Sequence, residues 1–270
     1  MPTANVNGIN IYYETSGSGE PLLLITGLGG SVVDWHYQIP ELSQHFQVIA
    51  IENRGAGRSD KPREHSMALY AADCAGLLDH LDTASAHVYG ISMGGMIAQQ
   101  LALDFPQKVH SLVLGATTPC PFGWPIDPST LTKFAGAFGS SMSPEGMATA
   151  GLPIGYSERF IVENINELRR LIKLQAPYVA PLKQWGRQLK SVIRFDVRKQ
   201  LKKIKVPTLI LQGGNDPIIS RGCCKYLAKH ISKARLVLFP NGRHAFNIEF
   251  REQANSVVID FIKSVSSRVA

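Results

Sequence analysis

"VYGISMGGM", residues 88–96, sets Ser92 between Gly90 and Gly94, with Gly95 directly behind. The residues leading in, "SAHVYGIS" (85–92), read as a strand, and "GGMIAQQLALDF" (94–105) as a helix that starts directly after the serine. A strand that turns into a helix this sharply crowds its own backbone and strains φ/ψ at the corner. Glycines beside the corner leave room where a Cβ would not fit. The pattern G-x-S-x-G therefore predicts a serine hydroxyl standing exposed at a strand end. The motif alone also describes a glycine-rich turn with an ordinary serine, so its weight comes from the strand–turn–helix context.

That context extends in both directions. "INIYYETSG" (9–17) alternates with period two and suits an early antiparallel strand. "PLLLITGLGG" (21–30) and "QVIAIENRGAGRSDKP" (47–62) are apolar runs closed by glycine-rich loops, as strands buried on both faces should be. "VHSLVLGAT" (109–117), "VPTLILQGGND" (206–216) and "ARLVLFPNGRH" (234–244) repeat the form. Helical spacing marks "SMALYAADCAGLLDHL" (66–81), "SRGCCKYLAKHI" (220–231) and "REQANSVVIDFIKSV" (251–265). "DWHYQIPELSQHF" (34–46) is expected to be a kinked or late-starting helix because of its interior proline. The alternation predicts an α/β fold with a mostly parallel sheet flanked by helices. From about Pro121 to Gly186 the strand rhythm stops, and helical stretches such as "SERFIVENINELRRLIKLQ" take over. The expected organisation is a core of residues 1–120 and 187–270, with a helical insertion, 121–186, over one end of the sheet.

Composition narrows the class. Of 270 residues, 44% are hydrophobic, enough for a sizeable core, and 18% are charged. No apolar run approaches the ~18 residues of a membrane span, and "MPTANVNGIN" has no secretory pattern. A cytoplasmic protein with no membrane span is expected. Cys74, Cys120, Cys223 and Cys224 show neither metal-ligand spacing nor a disulfide framework, so reduced thiols are expected, and no metal or cofactor. The formal charge of +7 is concentrated in "KSVIRFDVRKQLKKIKVP" (190–207), where Lys190, Arg194, Arg198, Lys199, Lys202, Lys203 and Lys205 face Asp196 alone. Without interleaved aromatics other than Phe195, the stretch reads as a solvated helix face near a helix C-terminus. Phe195 would lie on the helix's apolar side, and no nucleic-acid partner is expected.

A serine hydroxyl needs a base, and the base an orienting carboxylate. In open α/β sheets such groups gather at the carboxyl ends of strands. His244 follows the last strand at that end. His36, His45, His65, His80, His87, His110 and His230 fall on helices, strand starts or remote loops. Asp216 directly follows a buried strand, whereas "LVLGATTPC" (112–120) offers no acid. The order Ser92, Asp216, His244 fits the strand–helix scheme. An oxyanion would be held by the backbone N–H of Met93, at a helix N-terminus, and by that of Leu28 in the loop "TGLGG".

Taken together, the chain resembles the α/β-hydrolase superfamily over nearly its full length. "ITGLGGSVVDW" (25–35) looks like that family's oxyanion loop, and "IENRGAGRSDKP" (51–62) like its glycine-rich loop after the fourth strand. "GISMGG" (90–95) looks like its serine corner, "GGNDPI" (213–218) like its acid turn, "NGRHAF" (241–246) like its histidine loop, and 121–186 like its cap. The resemblance implies Ser92 as nucleophile, His244 as base and then acid, and Asp216 as orienter, with Leu28 and Met93 donating to the oxyanion. One departure is Thr26-Gly27 where many relatives carry His-Gly. Serine at 92 argues against dehalogenases and epoxide hydrolases, which resemble this scaffold but use aspartate there.

The chain is similar to small carboxylesterases, enol-lactone hydrolases and acyl-homoserine lactone hydrolases. A small-molecule ester or lactone is the expected partner, cleaved through an acyl-enzyme. Phe122, Trp124, Phe134, Phe138, Met142, Met147 and Trp185, with Trp35, are candidates to line an apolar acyl pocket. A cofactor-free perhydrolase or haloperoxidase, a carbon–carbon bond hydrolase, and a slow-turnover ligand receptor share the scaffold and stay open as alternatives. Nothing in the sequence sets the oligomeric state.

Overall fold

A computed structural model of the chain describes residues 2–121 and 143–267. Eight strands form one sheet: β1 (Thr3–Val6), β2 (Ile9–Ser16), β3 (Pro21–Ile25), β4 (Gln47–Ile51), β5 (Ala86–Ile91), β6 (Val109–Gly115), β7 (Thr208–Gly213) and β8 (Ala234–Phe239). Their order is β1-β2-β4-β3-β5-β6-β7-β8. β1 and β2 pair antiparallel, β2 meets β4 antiparallel, and every other pairing is parallel. The parallel sheet flanked by helices is the architecture expected from the alternation.

The central strands read as unbroken apolar runs because both faces are covered. Along β3, Leu23 and Ile25 join one core cluster, while Leu22 and Leu24 join the other. Side chains alternate across a strand, so a strand buried on both sides has no polar face to show. The first cluster is closed by α2 (Met67–His80) and α3 (Met93–Asp104), through Cys74, Leu78, Ile97 and Leu101. The second is closed by Trp35, Phe46 and the last helix, α9 (Arg251–Ser266), through Val258 and Ile262. Trp35 also packs edge-on against Tyr89 of β5, with ring centroids 4.9 Å apart.

The "DWHYQIPELSQHF" segment does start late. A 3-10 turn covers Val32–Trp35, and the short helix α1 (Ile39–Leu42) begins with Pro40 in its first turn, where no N–H is needed. Between β6 and β7 lie α4 (Pro144–Gly155), α5 (Glu158–Gln175) and α6 (Leu182–Ile193). Leu152, Tyr156, Leu168, Leu171 and Ile172 from this segment make their own apolar cluster with Ile248. That last residue comes from α8 (Phe246–Glu249) of the sheet-bearing part; α7 (Arg221–His230) lies between β7 and β8.

The basic stretch is not one solvated helix face. α6 stops at Ile193, and the chain then turns to bury Phe195 and Val197 in the first core cluster. Arg198 bonds Asp196 at 2.7 Å, and Leu201–Lys203 forms a 3-10 turn. Phe195 and Val197 drive the departure, because a helix continuing past Ile193 would keep both from the core. The four cysteines are buried and free. Among the described residues, no helix is long and apolar enough to cross a membrane.

Candidate active site

Ser92 sits at the corner between β5 and α3, with φ 56° and ψ −120°. A non-glycine residue in that region stores strain and persists only where its surroundings dictate it. Here the surroundings are close backbones. A Cβ on Gly90 would stand 2.2 Å from the carbonyl oxygen of Gly94, and one on Gly94 would stand 2.1 Å from that of Ile25. The Ser92 N–H donates to the Gly115 carbonyl at 2.9 Å, and the Thr117 hydroxyl donates to the Ser92 carbonyl at 2.7 Å. Both peptide groups of the corner are thus tied to β6 and the residues after it. The glycines of the sequence motif are present for this approach.

Asp216 and His244 come from neighbouring strand ends. The loops after β7 and β8 are stitched together, with Gly214 N–H donating to Phe239 O at 2.7 Å and Asn215 N–H to Gly242 O at 2.8 Å. That brings His244 Nδ1 within 2.8 Å of Asp216 Oδ2. The Asp216 side chain is fully buried, while His244 is partly exposed. Asp216 Oδ1 accepts the N–H groups of Ile218 at 2.8 Å and Ile219 at 3.0 Å, and Oδ2 accepts Gln212 Nε2 at 3.1 Å. Three donors beside the imidazole fix the carboxyl in one orientation.

Ser92 and His244 line one cavity of about 660 Å³, together with Leu28, Met93 and Thr26. Neither the Leu28 nor the Met93 N–H donates to any described residue. The turn around Leu28 is closed by Gly30 N–H to Gly27 O at 3.3 Å. A Cβ on Gly27 would lie 3.8 Å from Ser92 Oγ, so this loop runs beside the hydroxyl. A hydroxyl, an imidazole on a buried carboxyl, and two unengaged N–H groups at one cavity can perform nucleophilic acyl transfer.

Of the expected lining residues, Trp35 and Trp185 face this cavity. Met147 does not line it; it lies half-buried on α4 beside Ala148, which does. Phe122, Trp124, Phe134, Phe138 and Met142 lie outside the described residues. Among the described residues the rest of the wall is largely aliphatic, from Leu168, Leu171 and Ile172 on α5, Leu189 and Val192 on α6, and Ile218 and Ile219 after β7. The i, i+3, i+4 spacing of residues 168, 171 and 172 marks a buried helix face, but the same spacing marks any core helix. Sequence reasoning also missed Asp34 and Gln175, two polar groups on the cavity wall. Burial pushes the Asp34 carboxyl up from 3.8 to about 6, against hydrogen bonds from Ser31 and Gln175 that act to lower it. Among the described residues no group of three or more His, Cys, Asp or Glu is placed to hold a metal ion.

Sheet order, serine corner and chain identity agree on the class: this chain belongs to the alpha/beta hydrolase fold family, whose sequence model matches residues 20–151. Within it, the chain is 30% identical over 267 residues to RutD of Azorhizobium caulinodans, provisionally named a carbamate hydrolase, covering 97% of this chain and 98% of that one. It is 31% identical over 259 residues to the pimeloyl-acyl-carrier-protein methyl ester esterase of Nitrosomonas europaea, covering 90% and 96%. Among solved structures it is similar to Est816, described as an N-acyl homoserine lactone degrading enzyme. The TM-score is 0.81 at 28% identity, with 96% of this chain and 100% of the other covered.

Proposed function

We propose that this hydrolase cleaves carboxylic esters or lactones through an acyl-enzyme on Ser92. His244 takes the proton from the serine hydroxyl as Oγ attacks the carbonyl carbon. Asp216 holds the imidazole through Nδ1. The N–H groups of Leu28 and Met93 receive the oxyanion. His244 then gives its proton to the departing alkoxide. In the second half, it takes a proton from water, the hydroxide attacks the acyl carbon, and the serine leaves with that proton, releasing the acid. Residues 121–186, of which α4, α5 and the first part of α6 are described, act as a cap that selects the acyl group.

The observation that carries this reading is the 2.8 Å contact between His244 Nδ1 and Asp216 Oδ2 at the cavity that Ser92 lines from its strained corner. The aliphatic wall suits an apolar acyl chain. The pimeloyl ester and the acyl lactone named for two relatives support ester and lactone substrates. Carbamate hydrolysis is a second reading, favoured by the likeness to RutD over nearly the whole chain. The test is a panel of p-nitrophenyl esters, acyl lactones and an alkyl carbamate with wild type and Ser92→Ala. Turnover of esters or lactones that disappears in the variant is expected, as is an organophosphonate adduct on Ser92. Full activity without the hydroxyl would remove the serine from the mechanism, and turnover of the carbamate alone would select the second reading.

A further inference from the structure

The described wall of the cavity beside Ser92 is largely apolar, and besides Ser92 and His244 its polar residues include Thr26, Asn247 and the pair Asp34 and Gln175. In that pair the carboxyl of Asp34 and the carboxamide of Gln175 meet, Nε2 donating to Oδ1 at 2.8 Å. Among the described residues, Asp34 Oδ2 accepts only the Ser31 N–H, at 3.2 Å. Among the described residues each carboxyl oxygen therefore accepts one hydrogen bond, and Gln175 Oε1 accepts none. No lysine or arginine among the described residues lines the cavity to balance the carboxyl. A Cβ on Gly30 would touch both Asp34 Oδ2, at 2.0 Å, and Thr26 Cβ, at 3.3 Å. Thr26 adjoins Gly27, which runs beside Ser92, so Asp34 reaches back to the loop that flanks the hydroxyl, while Gln175 meets it from the end of α5.

Resting on the acyl-transfer reading of Ser92, we propose that Asp34 and Gln175 form an acceptor subsite for an amide N–H carried by the acyl part of the substrate. The chemistry favours an uncharged N–H. Polar acceptors in an aliphatic pocket lose water on substrate binding and must be given a donor, or the binding is penalised. An ammonium would have to shed its hydration among aliphatic walls. A carboxylate would meet Asp34 with no lysine or arginine among the described lining residues to offset it. The preferred substrates are thus N-acylated amino esters or lactones, ahead of plain or acid-bearing acyl esters.

The experiment compares p-nitrophenyl N-acetylglycinate with p-nitrophenyl 4-oxopentanoate, in which CH2 replaces the N–H, and with the mono-succinate ester. Rates are corrected for spontaneous hydrolysis. The wild type should favour the glycinate over the oxopentanoate at least tenfold in kcat/KM, with the succinate slowest. That preference ratio should fall at least fivefold in Gln175→Leu and in Asp34→Asn. Equal ratios in wild type and both folded variants would overturn the proposal. Should the variants misfold, the wild type decides alone: N-butylacetamide must inhibit at least fivefold more tightly than 2-heptanone, and equal inhibition overturns it. Should wild type cleave none of the esters, the acyl-transfer reading fails. The subsite is then judged by whether the amide raises the Tm of the protein more than the ketone does, and equal shifts overturn it.

Discussion

The Gln188 carboxamide accepts the backbone N–H of Gly29 at 2.7 Å and donates to the Arg54 carbonyl at 3.0 Å. The Gly29 carbonyl in turn accepts the Ala180 N–H at 3.2 Å. Both polar groups of this glycine, which takes φ +74°, are thus held by the segment between β6 and β7. Leu28, whose N–H is the proposed oxyanion donor, is the next residue upstream. Gln188 is wholly buried, so its bonds do not compete with water.

Gln188→Leu removes the acceptor and leaves the Gly29 N–H unpaired, at a cost of about 1–3 kcal/mol in stability. Because the loop would no longer present Leu28 firmly to a developing charge, kcat should fall about 10- to 100-fold while KM changes much less. Gln188→Glu keeps the acceptor and should retain more of kcat. Steady-state kinetics on a p-nitrophenyl ester checks this, and equal loss in kcat and 1/KM would speak for a general packing defect.

Asp216→Asn keeps the shape of the turn but offers His244 Nδ1 an amide in place of a carboxylate. The imidazole then loses the carboxylate that, in the proposed mechanism, fixes its tautomer. A drop of about 10³- to 10⁴-fold in kcat at pH 7 is expected with little change in fold. Activity within tenfold of wild type would mean that Asp216 does not orient the base.

Asp34 gives a pH signature in stability. Its folded value of about 6 exceeds its ordinary 3.8. Between those values the native protein holds a proton that the unfolded chain has released, so stability falls as pH rises through this window. The penalty is complete above pH 6 and absent well below 4. Asp34→Asn has no such proton. Its stability relative to wild type should therefore grow from pH 4 to 7, by about 1–3 kcal/mol. Urea unfolding of both proteins at several pH values reads this, and a constant difference would contradict it.

Arg54 and Asp73 form a two-pronged pair away from solvent, with Nε–Oδ2 and Nη2–Oδ1 contacts of 2.6 Å each. Asn7 Nδ2 adds a third bond to the carboxyl at 3.0 Å. Asp73→Ala leaves the guanidinium buried without its counter-charge, and a loss of about 3–5 kcal/mol is expected in urea unfolding. A loss below 1 kcal/mol would show that water reaches Arg54 once the carboxyl is gone.

Much of this molecule could be read one segment at a time. Apolar runs closed by glycines located the inner strands, and Gly90 and Gly94 located the strained serine, because strand burial and backbone crowding are written in neighbouring residues. Asp216 and His244, which the fold brings to 2.8 Å, could be named together because each lies in the loop after a strand.

Tertiary structure decided the rest. Helix α6 buries Gln184, Gln188 and Ser191 and exposes Leu182, which an apolar-inside pattern alone does not foretell. The two glutamines are inward because backbone groups of the loops after β3 and β4 wait there: Gln188 meets Gly29 and Arg54, and Gln184 Nε2 donates to Lys61 O at 2.9 Å. Phe195 left the expected helix for a core that only the assembled sheet creates, and Asp34 found Gln175 across 141 positions. The sequence by itself determined the strands and the serine corner, since period, glycine and turn chemistry act over a few residues. Which polar groups face the cavity depended on segments brought together from far along the chain, and no local pattern encodes that meeting.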